Sequence, residues 1–116
     1  MNRIDISHLL RALLAVGLTS GALVAQAQAV DVAAAEALLT ANKCTKCHSL
    51  DKQKDGPSYK KTAAKYKGKA DAEAKLFTHV TTGPQIEIDG AKEEHQKIKA
   101  KDDAAVKNLV RYILSR

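Results

Sequence analysis

The two cysteines of this 116-residue chain stand three positions apart, and a histidine follows the second one directly, in Cys44-Thr45-Lys46-Cys47-His48. On one helical turn, two thiols at this spacing point to the same side, and the next imidazole lies beside them. The chain must therefore fold so that two thiols and an imidazole share one small volume. Three kinds of chemistry use such a cluster.

Two of these three, a redox disulfide and a structural zinc site, are disfavoured by the rest of the sequence. A redox disulfide of the thioredoxin type is typical of a βαβ pattern, which is absent here. A structural zinc ion needs two more close ligands, and the chain has no further cysteine. The third is covalent attachment of haem, in which each thiol adds to one vinyl group of the porphyrin. We therefore predict one covalent haem c held by Cys44 and Cys47, with His48 as the proximal iron ligand.

The first 29 residues have the pattern of a secretory signal peptide. Two arginines precede an uncharged apolar run from 12 to about 25, and Ala27-Gln28-Ala29 offers a cleavage site for signal peptidase. An uncleaved membrane anchor is the alternative, but the run is short for a membrane span. We predict a signal peptide at 1–29, a single domain at 30–116 and a periplasmic location, where haem is normally attached in this way.

The predicted domain is small and contains no tryptophan, so it has few large apolar side chains for a hydrophobic core. A haem would add a large apolar surface against which these side chains can pack. Apolar residues recur at helical spacing in three segments. No stretch alternates for long enough to require a sheet, and 83–101 is predicted to be a long, functional loop. We therefore predict an all-α fold with helices at Val32 to about Asn42, about Lys60–Tyr66, about Asp71–Thr82 and from Asp102 onward.

The motif, Gly56-Pro57, the stretch from Ala64 to Gly68 and a final helix with Tyr112 together resemble a small bacterial class I cytochrome c. The resemblance implies N- and C-terminal helices crossed against each other, with one haem wedged in a cleft. It also implies that the Pro57 carbonyl accepts a hydrogen bond from His48, which sets the orientation and tautomer of the ring.

The sequence departs from this family at the distal iron ligand, usually a methionine in the loop before the last helix. The single methionine is Met1, which leaves with the predicted signal peptide. His95 lies in that loop, and we predict it as the distal ligand. An open or water-filled site is one alternative, and ligation by Lys97, Lys99 or His79 is another. Helical periodicity places His79 on the solvated flank of its helix, and His95 could also face water from a short polar helix.

The distal ligand decides the function. Two strong ligands keep the iron coordination in both oxidation states, which favours single-electron transfer between redox proteins at a lower potential than methionine gives. An open or labile site would instead favour binding or sensing of nitric oxide or carbon monoxide. A haem enzyme is disfavoured, because no distal acid/base pair is visible besides His95. We predict an electron carrier, either free or as the cytochrome subunit of an oxidoreductase.

Charge is unevenly distributed along the predicted domain. Between Lys43 and Lys69, the basic half, there are nine lysines and two aspartates. From Ala70 to Asp103 there are eight carboxylates and five lysines. In the implied fold the basic half surrounds the attached haem edge. We therefore predict docking on a redox partner with an acidic surface, with a negatively charged membrane surface as the alternative. Nucleic acid is disfavoured, because the chain offers no aromatic platform.

Overall fold

The computed structural model describes residues 28–116, so the predicted signal peptide lies almost entirely outside the described residues. The helical segments predicted from the sequence are confirmed to within one residue at their ends. No helix in this part of the chain is long and apolar enough to cross a membrane. The elements in chain order are α1 (Val32–Ala41), a 3-10 turn (Cys44–Lys46), α2 (Tyr59–Tyr66), α3 (Ala72–Thr82), β1 (Gln85–Ile88), β2 (Ala91–Glu94) and α4 (Asp103–Leu114).

Short polar side chains begin three of the helices. Asp31, Ser58 and Asp102 each accept a hydrogen bond from the amide three residues further on, at 2.9, 3.1 and 2.8 Å. Helix α3 ends at Gly83, whose φ of 64° is left-handed. A Cβ at this position would lie 2.6 Å from the backbone oxygen of His95. Glycine therefore both ends α3 and lets the segment with His95 approach it.

Helix α4 packs against α1, α2 and α3 and supplies half of the residues of the buried core cluster. Its buried stripe consists of Val106, Leu109, Val110, Tyr112 and Ile113. Ala35 of α1 and Val110 of α4 both have no exposed surface. The small alanine lets the two helices approach closely, and the tight packing of such interiors makes this contact sensitive to added volume. The N- and C-terminal helices, α1 and α4, thus pack together, and the motif follows directly after α1.

The expectation that 83–101 contains no sheet is wrong. Strands β1 and β2 pair antiparallel, with Gln85 opposite Glu94 and Ile88 opposite Ala91. The turn between them is Asp89-Gly90, in which both residues have positive φ, 50° and 81°. This is the geometry that a two-residue hairpin turn demands. Sequence pattern missed it because β2 is exposed along its whole length and carries no apolar alternation.

Candidate haem site

The two cysteines lie on the turn that follows α1. Lys43 takes a left-handed conformation, with φ 56°, and the chain then forms the 3-10 turn. The amides of Cys47 and His48 both donate to the Cys44 carbonyl oxygen, at 3.2 and 3.0 Å. Both thiols are half-buried, and Cys44 packs against the core cluster. Burial raises the pKa of the Cys44 thiol. The two cysteines and His48 therefore lie together on one short turn that follows α1.

His48 is held by the loop that follows the motif. Its Nδ1 lies 2.7 Å from the Pro57 carbonyl oxygen, so Nδ1 carries the proton and donates it. This tautomer leaves the lone pair of Nε2 free for a metal. The Tyr59 ring stacks on the imidazole, with centroids 5.8 Å apart and planes 24° from parallel. Two neighbours from one short segment thus restrain the ring.

His95 lies in the segment that follows β2, and its ring centroid is 6.2 Å from that of His48. Its amide donates to the Pro84 carbonyl oxygen at 2.9 Å, which ties it to the end of α3. The side chain is half-buried, and its Nδ1 is buried without a hydrogen-bond partner of normal geometry among the described residues. The short polar helix considered for this segment is wrong, since β2 and an irregular segment occupy it.

His79 is not a solvated flank residue, as periodicity suggested. It is half-buried, and its ring meets the edge of the His95 ring, with centroids 4.5 Å apart and planes at 61°. The segment after β2 folds back over α3 and covers this side of the helix, which a helical wheel of α3 alone does not show. Burial, followed by the nearby histidines, lowers the pKa of His79, and burial likewise lowers that of His95. Both rings therefore favour the neutral form, which can bind a metal.

The two lysines considered as distal ligands face the solvent. Lys97 pairs with Glu94 at 3.0 Å, and both side chains are more than half exposed. Lys99 is exposed as well, and its backbone rather than its ammonium group makes the contacts to the rest of the protein. The histidines are thus the better placed distal candidates.

The separation of the His48 and His95 rings can be compared with that of two imidazoles opposed across one iron. An imidazole nitrogen binds a transition metal at about 2.0–2.1 Å and lies about 1 Å from its ring centroid, so two opposed histidines have centroids about 6 Å apart. The observed separation is 6.2 Å. Two thiols on the turn that ends at His48, together with the His48 and His95 imidazoles, make up a donor set that fits a covalent haem.

Sequence reasoning did not single out two buried residues beside this gap. Tyr59 is 6% exposed, its hydroxyl has no hydrogen-bond partner among the described residues, and burial raises its pKa. Asn42 is 5% exposed and lies two positions before Cys44. The available signal was position alone: Tyr59 lies two positions after Pro57, and Asn42 lies two positions before Cys44.

All nine lysines between Lys43 and Lys69 are exposed. The ammonium group of Lys54 donates to the Thr45 carbonyl oxygen inside the motif, which places this part of the basic half beside the thiols. Lys65 and Lys69 lie over the Tyr66 ring, at 5.7 and 5.6 Å from its centroid. The basic half is therefore a real surface and not a set of buried ion pairs.

Comparison with known proteins agrees with this geometry. Residues 32–116 match the family described as Cytochrome c. Cytochrome c-551 of Pseudomonas aeruginosa is 43% identical over 50 residues, which cover 43% of this chain and 48% of that protein. Cytochrome c2 of Rhodocyclus tenuis is 45% identical over 49 residues, covering 42% and 53%. The matched stretches thus span about half the length of these curated relatives.

Solved structures match over more of the chain. The class 1 cytochrome MtoD from Sideroxydans lithotrophicus ES-1 is 57% identical with a TM-score of 0.71, covering 75% of this chain and 97% of that one. Cytochrome c552 of Nitrosomonas europaea is 28% identical with a TM-score of 0.55, covering 69% and 96%. The chain belongs to the cytochrome c family, as a small class I member whose cofactor is a covalently bound haem c.

Proposed function

We propose that this protein is an exported mono-haem cytochrome that carries single electrons between redox proteins, with His48 and His95 as the two iron ligands. The observation that supports it best is the 6.2 Å separation of the two imidazole rings. When bound, the haem iron supplies a one-electron couple. In this proposal the residues of the chain attach the haem, ligate its iron and exclude other iron ligands.

On the proximal side, the thiols of Cys44 and Cys47 would hold the haem through two thioethers, each made by adding the sulfur and its hydrogen across one vinyl group. The Pro57 carbonyl keeps the proton on Nδ1 of His48, at 2.7 Å, and so presents the Nε2 lone pair to the iron. A carbonyl partner of this kind also raises the basicity of the ligand.

On the distal side, His95 takes the position for which the domain has no methionine, because Met1 lies in the predicted signal peptide. The buried, neutral state of His95 keeps its ring ready to bind a metal. Two imidazoles bind iron in both oxidation states, so the coordination need not change when an electron arrives or leaves. Since methionine ligation raises the potential of cytochromes c, we expect a lower potential here.

Replacing His95 tests the ligation. The His95→Ala holoprotein should change from low-spin to high-spin absorption and should bind carbon monoxide when reduced. Lys97→Ala, which removes an exposed neighbour, should leave the spectrum unchanged. A low-spin His95→Ala protein that excludes carbon monoxide would contradict His95 ligation. A wild-type protein that binds carbon monoxide readily would favour the gas-binding alternative over an electron carrier.

We further propose that the basic half docks on the acidic surface of a redox partner in the periplasm. The arginines and apolar run before Ala29 support export, and the nine exposed lysines support docking. Attraction of this kind mainly raises the association rate and is screened by salt, with a screening length of about 10 Å at 0.1 M ionic strength.

Electron-transfer rates with an acidic and a basic redox protein, measured across a salt series, test this docking. Lys54→Glu should slow the reaction with the acidic partner at low salt, whereas the matched Lys107→Glu on α4, outside the basic half, should have a smaller effect. A rate that does not depend on salt, or that is faster with the basic partner, would contradict a lysine-lined docking face.

A further inference from the structure

Asn42 connects the proximal and distal parts of the proposed iron site. It is one of two polar residues among the buried side chains of the described chain, at 5% exposure. It ends α1 and lies two positions before Cys44. A buried amide side chain must have its hydrogen-bonding groups satisfied, because an unpaired one is costly.

Its hydrogen bonds reach across the molecule. The side-chain Nδ2 donates to the Lys99 carbonyl oxygen at 3.0 Å, and the Lys99 amide donates to Oδ1 at 2.7 Å. The Gln96 side chain donates to the Asn42 carbonyl oxygen at 2.7 Å. A fourth bond, from Nδ2 to the Leu38 carbonyl oxygen at 3.0 Å, is local to α1. The three bonds to Gln96 and Lys99 therefore join the end of α1, just before the motif, to the segment that carries His95.

That segment depends on such bonds for its position. From His95 to Ala100 the chain has no helix or strand of its own. On one side it is tied to α3, through the His95 amide to Pro84 and the Ile98 amide to Val80, at 2.9 and 2.8 Å. On the other side Asn42 holds it. The segment thus has two anchors, and the second consists of the Asn42 side chain at Lys99 and the Asn42 backbone carbonyl at Gln96.

We propose that Asn42 is a positioning residue that holds the His95 segment against the motif and so keeps the sixth iron position closed. This inference rests on the proposed ligation by His95. Without the Asn42 side chain the segment loses both bonds at Lys99 and keeps its anchor on α3 and the Gln96 bond to the backbone carbonyl of residue 42, so His95 leaves the iron more often. Asn42 touches neither iron nor porphyrin in this role and acts only through the position of His95.

The experiment compares the rates at which reduced holoproteins bind carbon monoxide. Asn42→Ala should bind it at least about fivefold faster than wild type, since one net hydrogen bond of about 1 kcal/mol corresponds to about a factor of five in an equilibrium. Asn108→Ala is the matched control. Asn108 also exchanges two hydrogen bonds with a distant backbone, both at 2.8 Å with Asp31, but it joins α1 to α4 and not to the His95 segment.

Both asparagine variants should lose stability, and only Asn42→Ala should open the iron site. Equal binding rates in Asn42→Ala and Asn108→Ala would overturn the proposal. If Asn42→Ala yields no holoprotein, Gln96→Ala removes the other bond between the segment and Asn42, the one to the Asn42 backbone carbonyl, and should still speed binding. An unchanged rate in Gln96→Ala would overturn the proposal too.

His95→Ala separates this inference from the proposed function. A low-spin spectrum in His95→Ala would remove the ligation and the Asn42 proposal together. A high-spin spectrum in His95→Ala, combined with an Asn42→Ala protein that behaves like its control, would remove the Asn42 proposal alone.

Discussion

Gly56 lies directly against the proximal imidazole, which makes Gly56→Ala a sharp test of the site. A Cβ at this position would lie 2.7 Å from Nδ1 and 3.0 Å from Nε2 of His48, and closer still to Cε1. Ordinary contacts between such atoms are about 3.5–4.0 Å, so the ring must move by about 1 Å to accept the methyl group. The ring is already restrained by Pro57 and Tyr59, so it has no unhindered direction in which to move.

The expected cost has two parts. Added volume in a packed site destabilises a protein by about 1–3 kcal/mol. A displacement of this size also breaks the hydrogen bond from His48 to Pro57, which is worth about 0.5–1.5 kcal/mol. Together the free energy of unfolding should fall by about 2–4 kcal/mol, and at about 4–8 °C per kcal/mol for a domain of this size Tm should fall by at least about 10 °C.

Thermal unfolding of the holoprotein, followed through the haem absorption, measures this effect. Gly68→Ala is the matched control, because a Cβ there meets no atom within 4 Å. Its only cost is the strain of placing alanine in a left-handed backbone conformation, φ 74°. Gly56→Ala should lose clearly more stability than Gly68→Ala and should shift the low-spin spectrum, since His48 moves. Equal Tm values for the two variants, with an unchanged spectrum, would refute the reasoning.

The thioethers predict that haem stays with the denatured wild-type protein through acid-acetone extraction, and that the double variant Cys44→Ala, Cys47→Ala yields an unstable or unfolded apoprotein by circular dichroism. Loss of the hydroxyl group should change the free energy of unfolding differently at two tyrosines, as measured by chemical denaturation. Tyr112 donates to Glu36 at 3.0 Å, so Tyr112→Phe should cost about 0.5–1.5 kcal/mol. The buried hydroxyl of Tyr59 has no partner among the described residues, so Tyr59→Phe should be neutral or stabilising. A large loss in Tyr59→Phe would show that the hydroxyl is paired in the holoprotein.

The helices could be predicted because their signals are local. In α4 the stripe Val106, Leu109, Val110 and Ile113 repeats at helical spacing, and Asp102 caps its start. The same local chemistry identified the cysteines and His48, since their spacing alone specifies a shared turn. Pattern was therefore sufficient wherever a few neighbouring residues decide the structure.

The parts that sequence missed depend on contacts between distant residues. His79 looked solvated on its own helix, but the segment after β2 covers it. Asn42 looked like an ordinary helix end, and its role appears only when Lys99, more than fifty positions away, is in place. The hairpin was missed because the Asp89-Gly90 turn was its only strong local signal.

The central claim is that two histidines bind one iron and that the protein transfers electrons. Optical and electron paramagnetic resonance spectra of the wild-type holoprotein, recorded through a potentiometric titration, test it most directly. We predict a low-spin, six-coordinate iron in both oxidation states, a single reversible one-electron midpoint below that of methionine-ligated cytochromes c, and only slow binding of carbon monoxide. A high-spin reduced form that binds carbon monoxide would contradict this account.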